Sequence, residues 1–480
     1  MIPTALETVA AWCSATIRRP LAGTPPVGTI RALEIDSRKL APGALFFALP
    51  GTKADGHAFL PQAVAAGAAA VVRADWPAEK LPPSATLLVH PDPAAALREI
   101  AAGYRRSRTG ATIVAIAGSV GKTTTKELVA DALCALGPTV RTRANLNNYL
   151  GMPLSVSTMD ESTRYGVFEA GISHPDEMPM LADVLRPDAA VFTTIGPVHL
   201  EHFRSVKHIA DEKGRLLDAL RPGGIAVLDA SSPYFPILRR HAEARDARIV
   251  TVAPAAAGVA ADYLHAPAPG DPVLHAVVTE AASGESATFP LPPPGTYMAA
   301  NLAPAVALAR TLGAGWDALH AALEAPSVAP MRWDRSTLAS GLDVVNDAYN
   351  ANPISMRAAI DAFPALAPGK EGARRHIAVG PMLELGAIAR DAHRELGRRL
   401  AAIPAGRLAS VAVLDTCPGA SGLARDIADA YAAARGAAPL LLATDYPPAA
   451  AFIRDRAAPG DLHLRKASHG LHLEKLIPLL

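Results

Sequence analysis

A chain of 480 residues, half of them apolar, is long enough for about three domains, each with its own core. Its 46 basic and 45 acidic residues leave no charge excess to draw it to nucleic acid or another polyanion, so small molecules are the expected partners. Cys13, Cys134 and Cys417 stand far apart without C-x-x-C spacing, there is no basic segment before an apolar leader, and the alanine-rich run at 63–72 is too short to span a bilayer, so the expectation is a cytoplasmic protein with no disulfide framework, zinc site, export or membrane insertion.

Residues 1–104 alternate short strand and helix patterns and read as a first domain, ending in the basic segment 104–108. Its most informative piece is Asp36-Ser37-Arg38, a polar turn before the buried-strand pattern at 43–49. The Ser37 hydroxyl and the Arg38 guanidinium could hold a diphosphate or a base edge. The local pattern alone favours a solvated turn with an Asx or Ser cap.

The middle segment, 105–328, opens with a buried-strand pattern at 112–117 that runs into Gly118-Ser119-Val120-Gly121-Lys122-Thr123-Thr124 and a helical run at 127–136. This order describes a phosphate cradle. The glycines permit a tight turn with inward N–H groups, Lys122 reaches the β- and γ-phosphates, and the Thr123 hydroxyl is placed for Mg²⁺. The general motif has a first glycine where this chain has Ile116. Next come three asparagines, Asn145, Asn147 and Asn148, whose amides can donate and accept together. A strand pattern at 165–169 delivers Glu169 to a sheet edge, where it reads as a Mg²⁺ carboxylate or as a helix cap. A second strand, 189–195, leads to His199, and a helix over 205–220 is expected to carry Lys213 on its surface. After a strand at 224–228, the Pro/Ala-rich stretches 253–272 and 290–294 read as loops of a sheet extension, helices follow at 297–312 and 315–324, and 326–330 reads as a linker.

The third domain, 329–480, places strands near 342–345, 376–380, 410–414, 440–443 and 462–464 between helical segments, a doubly wound α/β pattern. Its first strand ends in the polar loop 346–353, with Asp347, Asn350 and Asn352, of a kind that holds ligands or caps helices.

On these motifs the chain resembles the Mur ligases, ATP-dependent amide ligases of peptidoglycan precursor synthesis, over nearly its whole length; their P-loop also lacks the first glycine. Residues 346–359, 145–154, 199–201 and 382–386 are similar to the branch that adds D-alanyl-D-alanine to UDP-N-acetylmuramoyl-tripeptide, and there is no Asp-Asn-Pro-Arg string of the diaminopimelate-adding branch. The resemblance implies an α/β chain of three domains: an N-terminal α/β substrate domain, a central P-loop parallel sheet and a C-terminal Rossmann-like domain. It implies ATP and Mg²⁺ as cofactors, with Lys122 and Thr123 on the phosphates and metal, Glu169 and His199 as metal ligands, and Lys213 as a metal-bridging lysine. It further implies nucleotide contacts from residues 118–124, Asn301, Arg332 and Asp347, and substrate contacts from Ser37, Arg38, Asn145, Asn148, Asn350 and Asn352. A monomer is expected. The departures from the family pattern are Tyr297-Met298 for His-Asn, Arg215 for an acid, Pro381 for aspartate and Ala467 for glycine; they bear on adenine contacts and domain closure. Alternative readings are a sister ligase adding a single amino acid and a nucleotide-binding paralogue without ligase activity.

Overall fold

The computed structural model of the chain describes residues 1–21, 25–51, 54–108, 110–270, 274–366, 372–404, 406–417 and 422–480. Among these, three larger sheets follow one another along the chain, bearing out the expected three-part α/β architecture. The first carries, in spatial order, Thr16–Arg18, Leu87–His90, Ala69–Arg73, Ala44–Phe47 and Ala32–Glu34, parallel except at the first pair. Helix Pro93–Arg108 then leads from this sheet into the central one.

The central sheet is organised by Thr112–Ala117, which is flanked in parallel by Tyr165–Glu169 and Ala189–Phe192. Its alternation divides the core into two layers: Ile113, Ala115 and Ala117 pack on one face, Val114 and Ile116 on the other. Register brings Glu169 opposite Ile116 and Phe192 opposite Ala117, so three strands end at one level around Gly118. That is where an open parallel sheet forms its ligand crevice. Helix Lys122–Cys134 leaves the crevice and packs against Ala299–Thr311.

Two sequence expectations change here. The stretch 253–272 is not loop throughout: Tyr263–Pro267 is a strand, parallel to Arg248–Pro254 and antiparallel to His275–Glu280, which pairs in turn with Ser286–Pro290. Its Pro and Ala content hid this strand, of whose five residues Tyr263 alone is buried; positions 271 and 272 lie outside the described residues. The helix expected over 205–220 is shorter, Val206–Gly214, followed by a 3-10 turn at Leu217–Ala219.

The third sheet runs Asp334–Thr337, Asp343–Asn346, Leu462–Lys466, Arg375–Val379, Ser410–Leu414 and Leu440–Ala443, parallel apart from its first strand. That edge strand is exposed at every position and so carries no alternation for sequence reading to find. Among the described residues no helix is long and apolar enough to cross a membrane.

Candidate functional site

The P-loop turns where only glycine fits. Gly118 has φ +141°, and a Cβ there would lie 2.0 Å from Thr193 Oγ1; Gly121 has φ +91°, and its Cβ would lie 2.2 Å from Asn301 Oδ1. Helix Lys122–Cys134 therefore starts directly after a left-handed glycine, with no side-chain cap on its first turn. Uncapped N–H groups and the positive end of the helix dipole face the crevice, an arrangement that suits a phosphate. The loop is pinned from the other side, because the N–H groups of Ser119 and Val120 donate to the Thr194 carbonyl at 2.8 and 3.1 Å. Ser119 Oγ is buried without a hydrogen-bond partner.

Two adjoining cavities meet at Ser119 and Lys122. One, about 280 Å³, is lined by Ser119–Thr124, Glu169, Asn301, Arg332, Asp347, Asn350 and Asn352. The other, about 360 Å³, adds Asn145, His199 and Glu384 to Lys122, Asn350 and Asn352. Lys122 Nζ donates to the Ser119 carbonyl at 3.3 Å, and burial lowers its pKa while Glu169 opposes that shift. Glu169, 3% exposed, accepts from Thr123 Oγ1 at 2.8 Å and from Asn147 Nδ2 at 2.8 Å. The next helix starts only at Glu177, with Asp176 at its N-cap, and both Glu169 oxygens accept from side chains, so the helix-cap alternative does not describe it.

Lys213 overturns its expected surface placement. It is 1% exposed, and burial first, then the charge of Lys122, push its pKa well below the ordinary lysine value against the opposing pull of Glu169, Glu212 and Glu177. Burial follows from its position on the inward face of Val206–Gly214, beside Ile209, Ala210 and Glu212, which are also buried. Arg215 adds no free charge to this cluster: its guanidinium bonds Asp176 at 2.7 Å and Glu212 at 2.9 Å.

His199 holds a left-handed conformation, φ 51°, and its Nδ1 is hydrogen-bonded to Glu384 of the third domain. With the Glu384 carboxylate accepting, Nδ1 is the donor of this pair. The Glu384 carboxyl is held below its usual range by this contact. Pro381 and Ala467 do not prevent the two domains from meeting here: beside the His199 contact, Glu201 N donates to the Glu384 carbonyl at 3.3 Å.

The other sequence-selected residues divide by role. Asp347 pairs with Lys466 at 2.6 Å, and Arg332 lies over the Tyr349 ring at 4.4 Å. Asn350 is exposed beside both cavities, whereas Asn352 forms a capping box with Ser355 on Pro353–Ala362. Asn148 Oδ1 accepts from Leu150 and Gly151 N–H at 3.2 and 2.8 Å, so its carbonyl is occupied locally. Ser37 and Arg38 are not brought to the P-loop cavities. Asp36 caps the 3-10 turn Ser37–Lys39 and clamps Arg38 at 2.9 and 2.8 Å, while the Arg38 side chain is 85% exposed. In the sequence, Asn147 stands only as one of three asparagines and Glu384 only within the stretch 382–386, neither with a site role; a lone acid in Leu-Glu-Leu carries no signal of its own.

Three family models match the chain: "Mur ligase family, catalytic domain" over 29–105, "Mur ligase middle domain" over 116–309 and "Mur ligase, glutamate ligase domain" over 331–469. The chain is 35% identical to the UDP-N-acetylmuramoyl-tripeptide–D-alanyl-D-alanine ligase of Mycobacterium bovis, covering 92% of this chain and 90% of that one. It is 30% identical to the protein of the same name from Bacillus subtilis, covering 93% and 92%. Among solved structures, MurF from Acinetobacter baumannii superposes with a TM-score of 0.83 at 27% identity, covering 99% of this chain and 98% of that one.

Proposed function

Because this chain belongs to the Mur ligase family, we propose that it is an ATP-dependent ligase that joins D-alanyl-D-alanine to UDP-N-acetylmuramoyl-tripeptide in peptidoglycan precursor synthesis. The observation that carries the site assignment is the meeting of Lys122, Thr123 and Glu169 at three coterminal strand ends, under a third domain that reaches back through Glu384.

The carboxylate of the tripeptide attacks the γ-phosphorus of ATP, forming an acyl phosphate and releasing ADP; the dipeptide amine then attacks the acyl carbon, phosphate leaves and the amine loses a proton. The P-loop amides and Lys122 hold the triphosphate and stabilise charge on the transferred group. The first cavity suits the nucleotide, with Arg332 and Asp347 beyond the phosphates. The second, where Asn145, His199 and Asn350 converge, suits the reacting carboxylate and amine. Contact between the central and third domains excludes water that would hydrolyse the acyl phosphate.

Mg²⁺ fits the oxygens of Thr123 and Glu169. When bound, it would neutralise phosphate charge. His199 Nε2 is free to face it, and a neutral Lys213 amine can add CO₂, losing a proton to give a carbamate whose oxygens suit such an ion. Ser37 and Arg38 are proposed to meet the uridine diphosphate end of the substrate on the first domain. We divide the chain at 1–104, 105–328 and 329–480, and propose a cytoplasmic monomer.

Phosphate release in the presence of ATP, UDP-N-acetylmuramoyl-tripeptide and either D-alanyl-D-alanine or single amino acids tests the proposal. Release only with the dipeptide is expected. Release with one amino acid would favour a sister ligase, and no release with any amine would mark a non-ligating paralogue.

A further inference from the structure

Lys126 is buried on the P-loop helix Lys122–Cys134, one turn past Lys122. It is 2% exposed, and its Nζ donates to the Thr142 carbonyl at 2.9 Å. Glu127 aims it: one carboxylate oxygen lies 2.6 Å from Lys126 Nζ, and the other lies 2.6 Å from the guanidinium of Arg141, the last residue of the edge strand Thr139–Arg141. An apolar side chain of similar length would fill this volume without taking an ion pair out of water. The distinctive contribution of the lysine is then the carbonyl it holds.

Thr142 stands where the edge strand stops. Its N–H still donates to the Val167 carbonyl at 3.0 Å, and its hydroxyl accepts the N–H of Glu169 at 3.0 Å. The asparagine loop departs from the same residue and returns to the strand end through Asn147, whose side chain donates to Glu169 at 2.8 Å and whose carbonyl accepts from Gly171 N at 2.9 Å. The P-loop helix thus grips Glu169 twice. Thr123 bonds its carboxylate at 2.8 Å, and Lys126, three residues on, fixes its main chain through Thr142. Residues three apart share one face of a helix, so the two grips stand at a fixed offset.

Building on the ligase reading, we propose that Lys126 is a positioning residue of the reaction: through Thr142 it sets the Glu169 carboxylate at the level of the Thr123 hydroxyl, and so governs the affinity of that pair for Mg²⁺ rather than the affinity of the P-loop for nucleotide. Mg²⁺ demands near-ideal geometry at short bond lengths, and partners that orient a metal ligand are worth about 10–100-fold in metal affinity. The P-loop N–H groups that face the phosphates are not held by Thr142, so cutting this strut leaves them in place.

The test is titration calorimetry of AMPPNP, a non-hydrolysable ATP analogue, against the full-length protein in EDTA and again with Mg²⁺, for wild type, Lys126→Met, Thr142→Val and Thr142→Ser. The readout is the factor by which Mg²⁺ tightens binding. Lys126→Met and Thr142→Val are expected to reduce that factor by about fivefold or more while affinity in EDTA stays within about threefold of wild type; Thr142→Ser, which keeps the hydroxyl, should leave both within about threefold. A lysine that only stabilises the fold would lower the melting temperature and leave the factor unchanged. That result in Lys126→Met, or an unchanged factor in Thr142→Val, overturns the inference and leaves the ligase assignment standing. Should Lys126→Met not fold, Thr142→Val, which breaks the same chain of bonds one link further on, decides alone. No tightening by Mg²⁺ in the wild type would remove the metal from Thr123 and Glu169, and with it both the inference and the metal-dependent ligase reading.

Discussion

Lys213 offers the sharpest separation of stability from function. Its charge is disfavoured by burial and by Lys122 and only partly supported by Glu169, Glu212 and Glu177, so at neutral pH the residue opposes folding, whether by keeping a buried charge or by giving up its proton. Replacing a buried charge by an apolar side chain of similar length removes that desolvation cost, which in other proteins is worth roughly 1–4 kcal/mol. Taking about 2 kcal/mol for Lys213→Met, and about 2–4 °C per kcal/mol for a unit of this size, the melting temperature should rise by about 4–8 °C. The sign with pH is fixed as well. A lysine whose pKa is lower in the folded state loses its proton there first, so stability rises with pH until the unfolded value near 10.5 is passed. The advantage of Lys213→Met should therefore shrink as pH rises from 7 towards 10.5. Scanning fluorimetry in bicarbonate-free buffer measures both. In the ligation assay Lys213→Met and Lys213→Arg should be inactive, and Lys213→Ala should regain activity with acetate or formate. A lower melting temperature for Lys213→Met, a gap that widens with pH, or normal turnover by Lys213→Arg would refute the reasoning.

Lys122→Ala should lose at least a hundredfold in kcat with a melting temperature within about 2 °C of wild type, since its ammonium serves phosphate charge rather than packing; near-normal turnover would remove it from the site. Gly118→Ala should cost about 1–3 kcal/mol, because φ +141° and the close approach to Thr193 both exclude a methyl group, and a denaturant midpoint checks this. Asn352→Ala should lower stability by about 1 kcal/mol through its lost cap, while Asn350→Ala should leave melting unchanged and raise KM for dipeptide or ATP. Glu384→Gln should raise the Mg²⁺ concentration for half-maximal activity by about 10–100-fold, because His199 loses the carboxylate that orients it.

Much of the site was legible because its chemistry is local. A P-loop is one strand, one turn and one helix start, so its residues are neighbours in sequence, and Glu169 is found by the same rule that places ligands at strand ends. Sheet elements buried on both faces, such as Thr112–Ala117 and Ser410–Leu414, announced themselves as apolar runs. The exposed edge strand Asp334–Thr337 and the Pro/Ala-rich strand Tyr263–Pro267 did not, because neither buries a repeating face.

What sequence could not supply was the side on which a helix residue falls and the partner a loop residue meets. Lys213 looked solvated because a lysine on a short helix has no local reason to be buried. Only the packing of Val206–Gly214 against the central core turns it inward, and the same burial lowers its pKa, favouring the amine over a charge that would repel a metal. The Glu384–His199 contact spans 185 positions between two domains, and no window on the chain contains both residues. Asn352 shows the opposite failure. Its capping box with Ser355 is a local sequence pattern, yet the loop's place at a strand end drew attention to ligands first. One residue can serve both ends, since Asn352 caps its helix with the side-chain oxygen while lining both cavities around Lys122. Anchoring the loop by a cap holds Asn350 and Asp347 over the phosphate cradle, so a stabilising element and a positioning element are here the same bond.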